Sequence, residues 1–251
     1  MNYFIITGTS KGLGQATARQ LLVKGNTLFC MSRNKNNTLI EEARDKQVDL
    51  YYYEQDLNDV HSISNLIKSI FKQISIKDTD GLYLINNAGV VAPVKPIEKC
   101  EDKEIINNIN VNLIAPMILV SEFMEEAKKF EGRKRVINIS SGAGKHPYFG
   151  WGSYCTAKAG IDLFTQCVAL EEEEAMYPVE VLSFSPGIID TDMQKEIRSS
   201  NEEDFVQLER FINFKKDGAL APAEDVAKTL VKTLLAEQFE HGGLIDIRDL
   251  D

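Results

Sequence analysis

The sequence predicts a doubly wound α/β fold, with a single parallel sheet of about seven strands covered by helices on both faces. Three observations carry this expectation. Short apolar runs alternate with segments of helical period along the whole chain. The runs are apolar at nearly every position, as in strands covered on both faces. A glycine-rich turn follows the first run and opens the first helical segment, where sheets of this kind bind phosphate groups.

In chain order, "YFIIT" (Tyr3–Thr7) is a buried strand, and Leu13–Lys24 has helical period. "TLFCMS" (Thr27–Ser32) and "LYYYEQ" (Leu50–Gln55) are the second and third strands, and Val60–Ile74 is helical. "LYLINN" (Leu82–Asn87) is the fourth strand, and a long helix runs from about Asp102 to Lys129. "RVINIS" (Arg135–Ser140) is the fifth strand, Tyr154–Glu173 a helix, and "VEVLSFS" (Val179–Ser185) the sixth strand. A late helix covers Ala223–Ala236, and "GLIDI" (Gly243–Ile247) is a short last strand. The polar and aromatic stretch from about Asp190 to Pro222 follows a strand end. Loops there line the ligand crevice, so this stretch is expected to form a lid. Nothing divides the chain, and one domain is expected over 1–251.

Composition narrows the function. A hydrophobic share of 43% permits a sizeable core, and a net charge of −10 opposes a nucleic-acid or anionic-membrane partner. Cys30, Cys100, Cys155 and Cys167 show no CxxC spacing, and the three histidines form no cluster, so neither metal nor disulfide is expected. The opening "MNYFIITG" lacks a basic leader, and no apolar run looks long enough for a bilayer, so a soluble cytoplasmic protein is expected.

The turn "TGTSKGLG" (Thr7–Gly14) has the context of a nucleotide site. Gly8 permits the tight turn, Gly12 lets a pyrophosphate approach the backbone, and Gly14 packs helix on strand. The helix N-terminus offers free N–H groups to the anion. At the end of the second strand, where an NAD site carries a carboxylate, stand Ser32 and Arg33. With Lys11 they favour a 2′-phosphate, so NADP(H) is expected rather than NAD(H). Asp56 suits an adenine amino group. Further on, "SSGAGKHPYFGWGSYCTAK" (Ser140–Lys158) places Tyr154 and Lys158 one helical turn apart. That spacing fits an ordinary surface pair, or a proton donor beside a cation that lowers its pKa.

Together, "TGTSKGLG", Asp56–Leu57, "NNAG" (Asn86–Gly89), "VN" (Val111–Asn112), Ser140–Ser141, "YCTAK" (Tyr154–Lys158) and "PGIIDT" (Pro186–Thr191) resemble the short-chain dehydrogenase/reductase family, in its order and at its spacing over almost the whole chain. The resemblance implies a Rossmann fold and a catalytic tetrad of Asn112, Ser141, Tyr154 and Lys158, with Ser140 the structural member of its pair. It implies cofactor contacts from Gly8, Ser10, Lys11, Gly12, Leu13, Gly14, Ser32, Arg33, Asp56, Leu57, Asn87, Ala88, Gly89, Tyr154, Lys158, Pro186, Gly187, Ile189 and Thr191. Tyr154 would protonate the developing alkoxide, Ser141 would polarise the carbonyl, and Lys158 would hold the nicotinamide ribose. A water between Asn112 and Lys158 would continue the proton relay, with Pro116 freeing a carbonyl nearby.

The C-terminal half is similar to branches of the family that reduce vicinal dicarbonyls, either aromatic 1,2-diketones or a pterin side chain. Candidate pocket residues are Val91, Pro93, Ala143, Tyr148, Phe149, Trp151, Ile188 and Met193, with Asp249 of "DIRD" as the anchor for a pterin. The apolar surface of the long helix and of the helix from Tyr154 implies a homodimer, with a tetramer also compatible. A protein of another class, a non-catalytic NADP(H)-binding sensor on the same fold, is the alternative.

Overall fold

The computed structural model describes residues 1–250; Asp251, the end of the expected domain, lies outside them. Seven strands, β1 (Asn2–Thr7), β2 (Asn26–Ser32), β3 (Asp49–Glu54), β4 (Gly81–Asn86), β5 (Arg133–Ile139), β6 (Val179–Ser185) and β7 (Leu244–Asp246), form one sheet in the order β3-β2-β1-β4-β5-β6-β7. Every neighbouring pair is parallel. The order reverses between β1 and β4, and the crevice of a doubly wound sheet opens at such a reversal.

The period-two alternation of each strand feeds two cores. Phe4 and Ile6 of β1 pack with Leu28, Ile137 and Phe184 beneath α1 (Gly12–Leu21) and α9 (Ala223–Leu235). Tyr3 and Ile5 face the other way, with Phe29, Leu84 and Val136, against α3 (Ile63–Phe71) and α5 (Ala115–Glu126). Buried Arg135 ties the sheet to the end of α9, donating to the Leu234 and Ala236 carbonyls at 2.8 and 2.7 Å while pairing with Glu180.

Four features differ from the sequence expectation. A helix that the periodicity did not reveal, α2 (Asn37–Asp45), joins β2 to β3; only Leu39 and Ala43 are buried, so its apolar stripe is too thin to stand out. The long helix is interrupted: α4 (Asp102–Ile109) passes through one wide π-helical turn at Asn110–Ile114 before α5. The expected lid is not irregular, for it contains α7 (Asp192–Arg198) and α8 (Leu208–Lys216). The combined run Asp102–Glu126 also corrects the expectation about membrane-length segments, since an 18-residue window within its 25 residues has mean hydropathy 1.2 and meets that criterion by length and composition. Ala115, Leu119, Val120 and Phe123 of this run pack into the second core.

Candidate active site

A cavity of about 710 Å³ opens along the C-terminal ends of the strands, within the usual size range of ligand sites. One end is the glycine turn. Gly8 and Gly12 both have positive φ, +73° and +59°. A Cβ on Gly14 would stand 2.3 Å from the Gly8 carbonyl oxygen and from Asn87 Nδ2, so this glycine lets α1 close on β1 and β4. The Asn87 carboxamide braces the turn, donating to the Thr7 and Gly8 carbonyls at 2.9 and 3.3 Å. Asn36 caps α2 through Leu39 N–H and also donates to the Thr9 and Ser10 carbonyls. Its signal in the sequence was a capping Asn before a short amphipathic stretch.

Ser10, Leu13, Ser32, Arg33, Asp56, Leu57, Ala88, Gly89, Pro186, Gly187, Ile188, Ile189 and Thr191 all line the cavity. Arg33 makes no ion pair among the described residues. Two expected phosphate ligands are otherwise engaged. The Ser32 hydroxyl bonds to the Tyr52 hydroxyl and the Asn34 carbonyl. Lys11 Nζ reaches over to Asp192 on α7 at 2.8 Å, and Lys11 and Lys195 together hold the Asp192 carboxyl at about 2. The donor set fits a dinucleotide: a glycine cradle at a helix N-terminus, a free guanidinium at the end of β2, and a carboxylate after β3.

The middle of the cavity is built by α6 (Gly152–Glu172), which carries Tyr154 and Lys158 on one face. Both are buried, which excludes the ordinary surface pair. Lys158 Nζ donates to the Ile139 carbonyl at 2.8 Å and lies 5.7 Å from the Tyr154 ring centre. Burial lowers the Lys158 pKa to about 8, and Asp162 one turn on opposes that shift. Burial pushes the Tyr154 phenol up to about 12, and its hydrogen bond with Ser141 only partly offsets this. The expected lowering of the Tyr154 pKa by Lys158 is therefore not found, because the ammonium points at a carbonyl and the phenol is desolvated. Ser141 is the serine near enough to lower the Tyr154 pKa, whereas the buried Ser140 hydroxyl has no partner among the described residues.

Asn112 sits in the π-turn, buried behind the cavity wall. Its carboxamide donates to the Val90 carbonyl and to Asn108, and accepts from the Val90 N–H. Asn108, which sequence reading missed, braces the same loop through the Ala92 carbonyl at 2.7 Å. Since Pro116 has no N–H, the wide turn before it lacks one donor for its backbone carbonyls. A Cβ on Gly89 would lie 3.0 Å from Asn112 Oδ1 and 3.8 Å from Lys158 Nζ, so the two side chains converge behind that glycine.

The far end is aromatic. Trp151 stacks on Phe205 at 5.0 Å and meets Phe211 and Tyr154 edge-on at 5.4 and 5.5 Å. Tyr148, Met193, Ile197 and Phe214 complete this cluster with Val91 and Ala143. Phe205, Phe211 and Phe214 were not singled out, because nothing in an aperiodic stretch tells which aromatics turn inward. Three expected pocket residues are corrected. Phe149 is solvent-exposed and Pro93 lies off the cavity wall. Asp249 also lies outside it; the short turn after β7 presents Asp246 and Arg248 instead.

Fold and site together define a nucleotide-dependent oxidoreductase of the doubly wound class. The model of the short chain dehydrogenase family matches residues 2–202. Benzil reductase ((S)-benzoin forming) of Bacillus cereus is 50% identical over 247 residues, covering 98% of this chain and 99% of that protein. Sepiapterin reductase of Meriones unguiculatus is 31% identical, covering 98% and 95%. The crystal structure of the KRED1-Pglu enzyme superposes with a TM-score of 0.83 at 26% identity, covering 97% of this chain and 99% of that one. The chain belongs to the short-chain dehydrogenase/reductase family, and as such is an oxidoreductase that uses a nicotinamide cofactor.

Proposed function

We propose that the protein is an NADPH-dependent carbonyl reductase of vicinal aromatic dicarbonyls, with Asn112, Ser141, Tyr154 and Lys158 as its catalytic residues. The observation that carries this reading is the buried pair Tyr154 and Lys158, one turn apart on α6, in a cavity that they share with Ser141 and that runs from a glycine cradle to an aromatic wall. Reduced nicotinamide, when bound, supplies the hydride. The Ser141 hydroxyl donates to the carbonyl oxygen and orients it. Tyr154 gives that oxygen its proton. Lys158 holds the ribose hydroxyls and returns the proton to Tyr154, through a water on a carbonyl of the Asn112 turn. The α7–α8 segment serves as the lid, and its aromatic side chains exclude water from the reacting carbonyl. The similarity to a benzil reductase supports the diketone reading. Asp249 outside the cavity speaks against the pterin reading that the sepiapterin reductase similarity offers. NADPH oxidation with benzil, 1-phenyl-1,2-propanedione, sepiapterin and simple ketones tests this: the diketones should be the best substrates, and a preference for sepiapterin would reverse the choice.

The phosphate preference rests on Arg33. Arg33→Ala should raise KM for NADPH about tenfold to more than a hundredfold, since a charge-assisted bond to phosphate contributes roughly 1.5–3 kcal/mol, and should leave KM for NADH nearly unchanged. Equal wild-type efficiency with the two cofactors would remove the basis for it.

We also propose a cytoplasmic homodimer. Ile106 of α4, Met117 of α5, and Leu163 and Leu170 of α6 are exposed apolar residues on the helices expected to pair. Light scattering at micromolar concentration should give twice the 28.2 kDa chain mass; a monomer mass would refute the pairing.

A further inference from the structure

At the substrate end the cavity presents a guanidinium where the sequence led us to expect a carboxylate. The buried Asp246 carboxylate accepts from Arg248 Nε at 2.8 Å, from Nη2 at 2.6 Å and from the Arg248 backbone N–H at 3.0 Å. These three bonds fix the fork in one orientation. Nη2 stands 3.9 Å from where a Cβ on Gly142 would be, in the residue directly after Ser141. Nη1 has no hydrogen-bond partner among the described residues. The charged groups that line the cavity are Lys11, Arg33, Lys158, Arg210 and Arg248 against Asp56, Asp192 and Asp246, a cationic excess in a chain of net charge −10. Among the described residues that line the substrate end, the only carboxylate is Asp246, already engaged by Arg248. A guanidinium has donors and no acceptor, so this part of the wall recognises an acceptor-rich or anionic group.

We propose that the enzyme also reduces aromatic 2-oxo acids to 2-hydroxy acids, with Arg248 holding the carboxylate. This rests on the carbonyl-reductase reading above and names a further substrate class for the same site. A carboxylate next to the reacting carbonyl occupies the place of the second carbonyl of a diketone, and adds a charge that the fork can bind. In the step, the carbonyl π bond breaks, its carbon gains the hydride of NADPH, and its oxygen gains the Tyr154 proton. The oxo acid is reduced, NADPH is oxidised to NADP⁺, and Tyr154 is reprotonated from solvent through Lys158.

The test compares phenylglyoxylate with its neutral methyl ester, by calorimetric titration into enzyme saturated with NADP⁺, where no turnover occurs. Wild-type enzyme should bind the acid more tightly than the ester. Arg248→Met should weaken the acid at least tenfold more than the ester, and Arg248→Lys should retain part of the preference. The Asp246→Asn, Arg248→Met double variant removes both charges together; it should lose the preference too, which isolates the fork from the local net charge. An acid-to-ester affinity ratio that is unchanged in both variants, or a wild type that prefers the ester, would overturn the proposal. NADPH oxidation with 1-phenyl-1,2-propanedione reads the carbonyl-reductase function separately: its absence would sink that reading, while the titration still decides whether the fork binds a carboxylate.

Discussion

Replacing Tyr154 with Phe should lower kcat on a diketone by about 10²–10⁴-fold, the usual contribution of a positioned general acid, with cofactor affinity unchanged. The ring, its edge contact with Trp151 and the burial all survive the substitution; only the hydroxyl and its proton go. A variant that kept more than a tenth of wild-type kcat would show that another group is the acid. The pH dependence belongs to the neighbour. With its pKa near 12, Tyr154 stays protonated through neutral and mildly alkaline solution, as reduction requires. Lys158, at about 8, loses its charge as pH rises, so cofactor affinity should fall through that point. Stability of the free protein moves the other way. Lys158 binds its proton more weakly folded than unfolded, so the unfolded chain carries more protons between pH 8 and 10.5, and stability rises across that window. Lys158→Met should abolish both trends; calorimetric cofactor titration and thermal melts at several pH values would measure them.

Gly14→Ala should damage both folding and binding. Its new methyl would stand 2.3 Å from the Gly8 carbonyl oxygen, a backbone atom fixed by β1, and equally close to the Asn87 amide that braces the turn. Overpacking of this kind costs about 1–3 kcal/mol, which at this chain length lowers Tm by roughly 2–12 °C. The glycine turn must shift to accommodate it, so cofactor affinity should fall as well. Gly152→Ala is the control, because a Cβ there meets nothing within 4 Å. A melting temperature and cofactor affinity equal to wild type in Gly14→Ala would mean that the turn has slack the packing does not show.

The parts of the molecule legible in the sequence are those where local pattern and tertiary role coincide. The inner strands could be read because a strand covered on both faces is apolar throughout, as "FIIT" and "LYLIN" are, whereas β3, half-exposed at the sheet edge, was legible from its run of tyrosines. The glycine turn could be read because Gly8, Gly12 and Gly14 each answer a backbone need. The Tyr154–Lys158 pair could be placed, but not its electrostatics. Burial depends on the segments folded over it, and the direction of Lys158 depends on the Ile139 carbonyl from a different strand. The π-turn was invisible because "NVNLIAP" has ordinary helical period on both sides. At the chain's end, Asp249 and Arg248 are adjacent in sequence, and only the turn after β7 decides which of them faces the cavity.

Trp151 is the only tryptophan of the chain, and it lies in the cavity wall between Tyr154 below and Phe205 and Phe211 of the α7–α8 segment above. All indole fluorescence of this protein therefore originates at one place, in contact with both the reacting group and the cover above it. The enzyme carries its own optical probe. Quenching on ligand entry, energy transfer to a bound dihydronicotinamide, and changes in emission as Phe205 moves off the indole can each be followed in the unmodified protein, without a label, by excitation at wavelengths that its eight tyrosines do not absorb.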